Sequence, residues 1–136
     1  MDLRSLIAPR IIVHAHCDIP CGIYDPTAAK VASDTVAKMI EKINGATGTD
    51  TASRNTFMRS VQVKEEHAQI CKKELLILWS DYFKPEHLEK YPKLHETFWK
   101  AAKLCSKNKQ TVDAAAAAEL QAAVKEIADI FWATKK

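Results

Sequence analysis

The stretch Arg54–Leu78, RNTFMRSVQVKEEHAQICKKELLIL, decides the fold. Its apolar residues recur at steps of three and four, which is the spacing of a helix that presents one stripe to its neighbours; the stripe consists of Phe57, Val61, Ala68, Cys71, Leu75 and Leu78. The stretch therefore predicts a long, bundle-forming helix. Lys64 interrupts the stripe, and we expect either a stem that packs while the amine reaches water, or an ion pair at a subunit interface.

Three further helices are predicted, one before this stretch and two after it. Asp25-Pro26 is a typical helix start and Asn44-Gly45 a typical end, and the later helices are expected at residues 93–106 and 113–133. The expected connections are residues 45–53, residues 107–111 and the aromatic turn Trp79–Pro92. With three glycines in 136 residues and no trusted strand pattern, the chain is expected to be one all-α domain, a four-helix bundle.

Composition excludes several classes of function. The net charge is +3, and it falls to +2 without residues 1–15, so a nucleic-acid-binding protein is not expected. No segment approaches the roughly 20 apolar residues of a membrane span.

A second stretch, His16-Cys17-Asp18-Ile19-Pro20-Cys21-Gly22-Ile23-Tyr24, carries the candidate chemistry. Thiolate and imidazole are ligands of transition metals, and Pro20 with Gly22 would let the chain turn tightly around one ion. No second ligand pair of the kind that closes a structural zinc site follows. His14 is one candidate for a fourth ligand.

Cleavage before His16 is the other candidate source of a ligand. The new α-amine would add a nitrogen donor near neutral pH. With the amide of Cys17 and the sulfurs of Cys17 and Cys21 it would form a planar set, which suits nickel(II) or copper(II), with the His16 ring able to bind axially. Residues 1–15 are thus predicted to be a leader, and residues 16–136 the mature domain. The leader lacks the apolar run of a secretory signal, so we expect a dedicated protease and a cytoplasmic protein.

Two motifs resemble nickel-containing superoxide dismutase. The first is the hook, residues 16–24, and the second is Trp79-Ser80-Asp81-Tyr82-Phe83-Lys84-Pro85 with Tyr91-Pro92. The resemblance continues to Ile130-Phe131-Trp132. It implies disproportionation of superoxide to dioxygen and hydrogen peroxide, one nickel ion per subunit cycling between +2 and +3, and bundles assembled as a hexamer.

The resemblance also implies roles for single residues. Tyr24 and Tyr82 would narrow the approach to the metal, and Lys84 with Asp18 would hold the hook closed. Tyr24 with bound water is our expected proton route.

Family members carry an Arg and a Glu around the axial histidine, where this chain has His67 and Ala32. Because the partner of an imidazole sets its orientation and basicity, we hypothesise that His67 replaces the Arg.

Two alternatives stay open at this point. The first is a nickel- or copper-trafficking or sensor protein that binds through the same thiolates without turnover. The second is a structural bundle with an incidental zinc clip. Cys71 and Cys105 fall at core-facing helical positions and are expected to pack as small apolar residues.

Overall fold

The computed structural model describes residues 22–135, which form four long helices and one short helix. The second long helix continues directly into a π-helical turn, Leu78–Tyr82. The α-helices are α1 (Thr27–Asn44), α2 (Thr51–Ile77), α3 (Pro85–Lys90), α4 (Leu94–Gln110) and α5 (Ala114–Thr134).

The four long helices form a closed ring around one core. Helix α1 packs on α2 and α5, and α4 packs on the same two helices. The largest apolar side chains in that core are Val36, Ile40, Leu75, Leu78, Leu94, Phe98, Leu120, Val124, Ile127 and Phe131. The predicted four-helix bundle is therefore confirmed, and α3 is a short addition within the predicted Trp79–Pro92 connection.

Two helix boundaries differ from the prediction. Helix α2 begins at Thr51 because the Asp50 side chain caps it, accepting a hydrogen bond of 3.0 Å from the backbone N–H of Ser53. Helix α4 continues to Gln110, four residues beyond its predicted end, although residues 107–110 read as a polar loop. There the buried Asn108 amide donates to the carbonyls of Leu104 and Ala116, both at 2.9 Å, and so joins α4 to the start of α5.

Lys64 also closes the end of α4, and the prediction that its amine reaches water is wrong, whereas the ion pair at a subunit interface stays a prediction. Its side chain is only 2% exposed. The ammonium donates to the carbonyls of Asn108 (2.6 Å), Lys109 (2.7 Å) and Thr111 (3.1 Å). The last carbonyls of a helix have no partner within the helix and carry partial negative charge. A cation from α2 therefore caps α4 inside the bundle.

The position of Lys64 explains why Phe57 is 39% exposed, contrary to the predicted stripe. Lys64 lies level with the end of α4, and Phe57 lies about 10 Å earlier on α2 at 1.5 Å per residue. The first turns of α2 thus extend past the end of α4 and have fewer neighbours to pack against.

Helix α5 is capped by Asp113, and this cap predicts a pH dependence. Its carboxylate accepts from the N–H groups of Ala115 (2.9 Å) and Ala116 (3.3 Å) and lies 3.6 Å from the Lys107 ammonium. The backbone bonds from Ala116 and Ala115 hold the pKa of this carboxyl below its ordinary value of 3.8. Because the folded pKa is the lower one, the added stability is complete above the ordinary pKa and is lost as the pH falls through the folded pKa.

We expect Asp113→Asn to keep the cap but to remove this titration, since Asn is also a good capping residue. The melting temperature of the parent protein should therefore fall relative to that of the variant as the pH is lowered from about 5 towards 2. Thermal unfolding followed by circular dichroism at several pH values measures the difference. The same pH profile for both proteins would contradict this role of Asp113.

Candidate metal centre

The described chain enters the bundle through the end of the hook. Gly22 has a φ of +70°, a backbone conformation that side chains with a Cβ rarely adopt. Tyr24 follows two residues later and is half-buried. His16, Cys17, Asp18, Pro20 and Cys21 lie outside the described residues, so their assignments stay predictions.

Tyr24 and Tyr82 lie in contact, with ring centroids 5.6 Å apart and ring planes inclined at 56°. One residue comes from the hook motif and the other from the Trp79–Pro85 motif, 58 positions later in the sequence. The fold thus brings the two motifs together. Their proposed effect on access to the metal stays a prediction.

The π-helical turn at the end of α2 positions Tyr82. The N–H of Phe83 donates to the carbonyl of Leu78 at 3.1 Å, five residues back, and closes a wider turn than an α-helix has. Such turns are frequent at functional sites. Leu78 is buried in the core and fixes the start of the turn, whereas Phe83 and Lys84 are extended and lead into α3.

Aromatic and cationic groups surround the Tyr82 ring. The ring of His87 stacks on it with centroids 5.7 Å apart, and the ring of Phe131 lies at 4.5 Å. The Lys135 ammonium lies 5.1 Å from the ring centroid, at cation–π distance. His87 accepts at Nδ1 from the Lys84 N–H at 3.0 Å, so its neutral ring carries the proton on Nε2.

The Tyr82 hydroxyl is hydrogen-bonded to the last turn of α5. It lies 2.6 Å from the hydroxyl of Thr134, and the Thr134 hydroxyl donates to the carbonyl of Phe131, also at 2.6 Å. Thr134 and Lys135 were not predicted as site residues, because nothing in their local sequence indicates that the end of α5 returns to Tyr82. His87 does have a local signal, since it lies at the third position of a helix that begins with proline.

Lys84 and His67 occupy different parts of the molecule. Lys84 is exposed and precedes the first residue of α3. His67 lies within α2, where its Nδ1 is 3.0 Å from the Val63 carbonyl. It lies roughly 20 Å along the helix from Tyr82, from the rise per residue. The described residues therefore do not bring His67 to the tyrosine pair, and its role towards the axial histidine stays a prediction.

Within residues 22–135, His, Cys, Asp and Glu side chains nowhere form a group of three or more that could hold a metal ion. Cys71 and Cys105 are buried in the core, as expected. The hydrogen bond with Cys105, together with burial, raises the pKa of the Cys71 thiol and keeps it protonated. The Cys71 thiol is thus a poor ligand, and the donors of the hook remain the candidate set.

None of the helices within this same range combines the length and the apolar character needed to cross a membrane. The all-α bundle, with thiolate and imidazole donors in the sequence just before Gly22, defines a helical-bundle metalloprotein.

Comparison with known proteins identifies the family. The family model for nickel-containing superoxide dismutase matches residues 11–135. A superoxide dismutase [Ni] of Streptomyces coelicolor is 40% identical over 134 residues, which is 98% of each chain. The chain therefore belongs to the nickel-containing superoxide dismutase family, and its activity is that of an oxidoreductase acting on superoxide with nickel as the cofactor.

Solved structures agree with the described fold. A native structure of a nickel superoxide dismutase matches with a TM-score of 0.79 at 39% identity, covering 89% of this chain and all of the other. A second structure, whose nickel ligation corresponds to the state after partial X-ray-induced reduction, matches with the same TM-score at 38% identity, covering 88% of this chain and 98% of the other.

Proposed function

We propose that residues 1–15 are removed and that His16, Cys17 and Cys21 then hold the nickel ion with which the protein disproportionates superoxide to dioxygen and hydrogen peroxide. The observation that carries this proposal is the contact between Tyr24 and Tyr82, which joins the two family motifs beside the end of the hook. The native solved relative covers 89% of this chain, the same share that residues 16–136 make up with 121 of its 136 residues.

The donor set fits the metal. Two thiolates, an anionic amide and an amine donate strongly and suit a planar nickel site. When bound, nickel supplies the redox chemistry by cycling between the +2 and +3 states. Harder cations prefer carboxylate groups, and the hook contains only one, that of Asp18.

The residues around the hook have separate tasks in this proposal. Tyr24 carries a hydroxyl proton next to the hook and, with bound water, delivers protons to the reduced substrate. Tyr24 and Tyr82 together narrow the approach to the nickel ion, so that a substrate of two atoms can enter and larger molecules are excluded. Lys84 and Asp18 would hold the hook closed by an ion pair, and His67 would support the ring of His16, which would be one of the residues that hold the nickel ion.

The proposal includes the oligomeric state of the protein and its location in the cell. We propose a homo-oligomer, a hexamer as the family resemblance implies, in which neighbouring subunits cover the hooks and protect their thiolates from oxidation. The short apolar segment of the leader favours a cytoplasmic location and a dedicated processing protease.

The four cysteines provide a direct test of the ligand assignment. Cys17→Ser and Cys21→Ser, each made in the processed chain, are expected to reduce nickel from one ion per chain to background and to abolish dismutase activity, because each removes a thiolate ligand. Cys105→Ala is the matched control: it removes a thiol from the core and is expected to keep the nickel at a small cost in stability. Elemental analysis and a superoxide-consumption assay measure both effects. Full nickel content in the two hook variants would refute the assignment.

A further inference from the structure

The last turn of α5 holds Tyr82 in place. The Phe131 ring packs against the Tyr82 ring, the Thr134 hydroxyl bonds the Tyr82 hydroxyl, and the Lys135 ammonium lies over the ring. These contacts connect positions about 50 residues apart in the sequence. The C-terminal end of α5, with Lys135, is therefore part of the surroundings of the tyrosine pair.

The direction of the hydrogen bond follows from the second bond made by Thr134. A carbonyl oxygen can only accept, so the 2.6 Å contact between the Thr134 hydroxyl and the Phe131 carbonyl uses the single proton of Thr134. The Thr134 oxygen can then only accept from Tyr82, which lies 2.6 Å away. The proton of the Tyr82 hydroxyl consequently points towards α5.

We infer that Thr134 is a positioning residue: it binds the hydroxyl proton of Tyr82, so that Tyr82 offers only its oxygen lone pairs to molecules that reach the tyrosine pair. This inference rests on the proposed function of the tyrosine pair. It gives the two tyrosines different tasks, because Tyr82 orients proton donors whereas Tyr24 is the residue proposed to deliver a proton.

The inference has a chemical consequence for the molecules that Tyr82 can hold. Superoxide carries no proton and cannot donate to the Tyr82 oxygen. Water and hydrogen peroxide can donate to it, and each has a second proton left to direct elsewhere. Tyr82 therefore orients a water molecule or the product, and it does not bind the substrate anion through its own proton.

The hydrogen bond can be tested in the full-length chain without metal. The chain has three tyrosines, so labelling with tyrosine carrying ¹³C at Cζ gives three NMR signals, which Tyr→Phe variants assign. Thr134→Val keeps the shape of the side chain and removes the hydroxyl. We expect it to shift the Tyr82 signal and to speed exchange of the Tyr82 hydroxyl proton, while the Tyr91 signal stays in place. Thr134→Ser should restore the parent spectrum.

Thr35→Val is the matched control, because the Thr35 hydroxyl donates only to the Val31 carbonyl of its own helix at 2.8 Å. It is expected to move none of the three signals. An unchanged Tyr82 signal in Thr134→Val would overturn the hydrogen bond. This result does not depend on nickel, so it separates failure of this inference from failure of the proposed function.

The nickel-loaded processed enzyme tests the positioning role. We expect Thr134→Val to lower kcat/KM per bound nickel about fivefold, a change equal to about 1 kcal/mol in activation free energy, and Thr134→Ser to restore it. A purely structural role would lower the melting temperature and leave kcat/KM per nickel unchanged, and that outcome would overturn the inference.

Discussion

A chain that cannot lose residues 1–15 is expected to fold normally and to show at least about a hundredfold less dismutase activity than the chain that begins at His16. Loss of a residue that only supports a metal ligand already costs about 10–100-fold in metal affinity or activity. Here a ligand itself would be missing. In the uncleaved chain the nitrogen of His16 belongs to a peptide bond, where its lone pair is delocalised, so it cannot bind the metal as a neutral amine does. The measurement is superoxide consumption per chain, with helix content followed by circular dichroism.

The sharpest comparison adds a single glycine before His16. This variant keeps every side chain of the processed protein but moves the α-amine by one residue, so we expect little nickel and no activity. Nickel content and the electron paramagnetic resonance signal of Ni(III) measure the loss directly. Equal activity and nickel content in the extended and processed chains would exclude the terminal amine as a ligand.

Lys64→Met is expected to lower the free energy of unfolding by about 3 kcal/mol. Methionine fills much of the space of the lysine stem but leaves three carbonyls at the end of α4 without their charged donor. A buried polar group left without its partner costs about 1–3 kcal/mol, and loss of one member of a buried charged arrangement costs about 3–5 kcal/mol. The melting temperature should fall by about 10 °C.

Lys72→Met is the control for Lys64→Met. Lys72 also reaches from α2 to α4, but its ammonium donates to the Ser106 hydroxyl at 3.1 Å and is only half-buried. We expect a loss of at most about 1 kcal/mol. Similar melting temperatures for the two variants would mean that water satisfies the carbonyls as well as the Lys64 ammonium does.

The sequence predicted the helices well because their signals are local. Asp25-Pro26 and Asn44-Gly45 bound α1 correctly, and the apolar repeat of α2 identified a bundle. The predicted end of α4 was wrong because the side chain that satisfies the Asn108 carbonyl, Lys64, lies 44 residues away in the sequence. A polar segment reads as a loop until a distant partner satisfies its carbonyls.

The candidate site shows the same difference between local signals, which the sequence reveals, and long-range contacts, which it does not. The hook and the Trp79–Pro85 motif are contiguous in sequence, so they could be found from the sequence, and Tyr24 with Tyr82 could be named. The surroundings of Tyr82 come from α3 and from the end of α5. Thr134 has no distinctive local pattern, and only the closed ring of helices brings it to Tyr82.

The π-helical turn at Leu78–Tyr82 also restricts which insertions and deletions the chain can tolerate. A π-helical turn holds about one residue more than an α-helical turn. Removing a single residue between Leu78 and Tyr82 would let the N–H of Phe83 and the carbonyl of Leu78 close a regular α-helical turn, so the wide turn would be lost while Tyr82 stayed on nearly the same face of the helix. This segment is therefore expected to tolerate the loss of one residue better than the insertion of another, because an insertion would exceed even the wide turn.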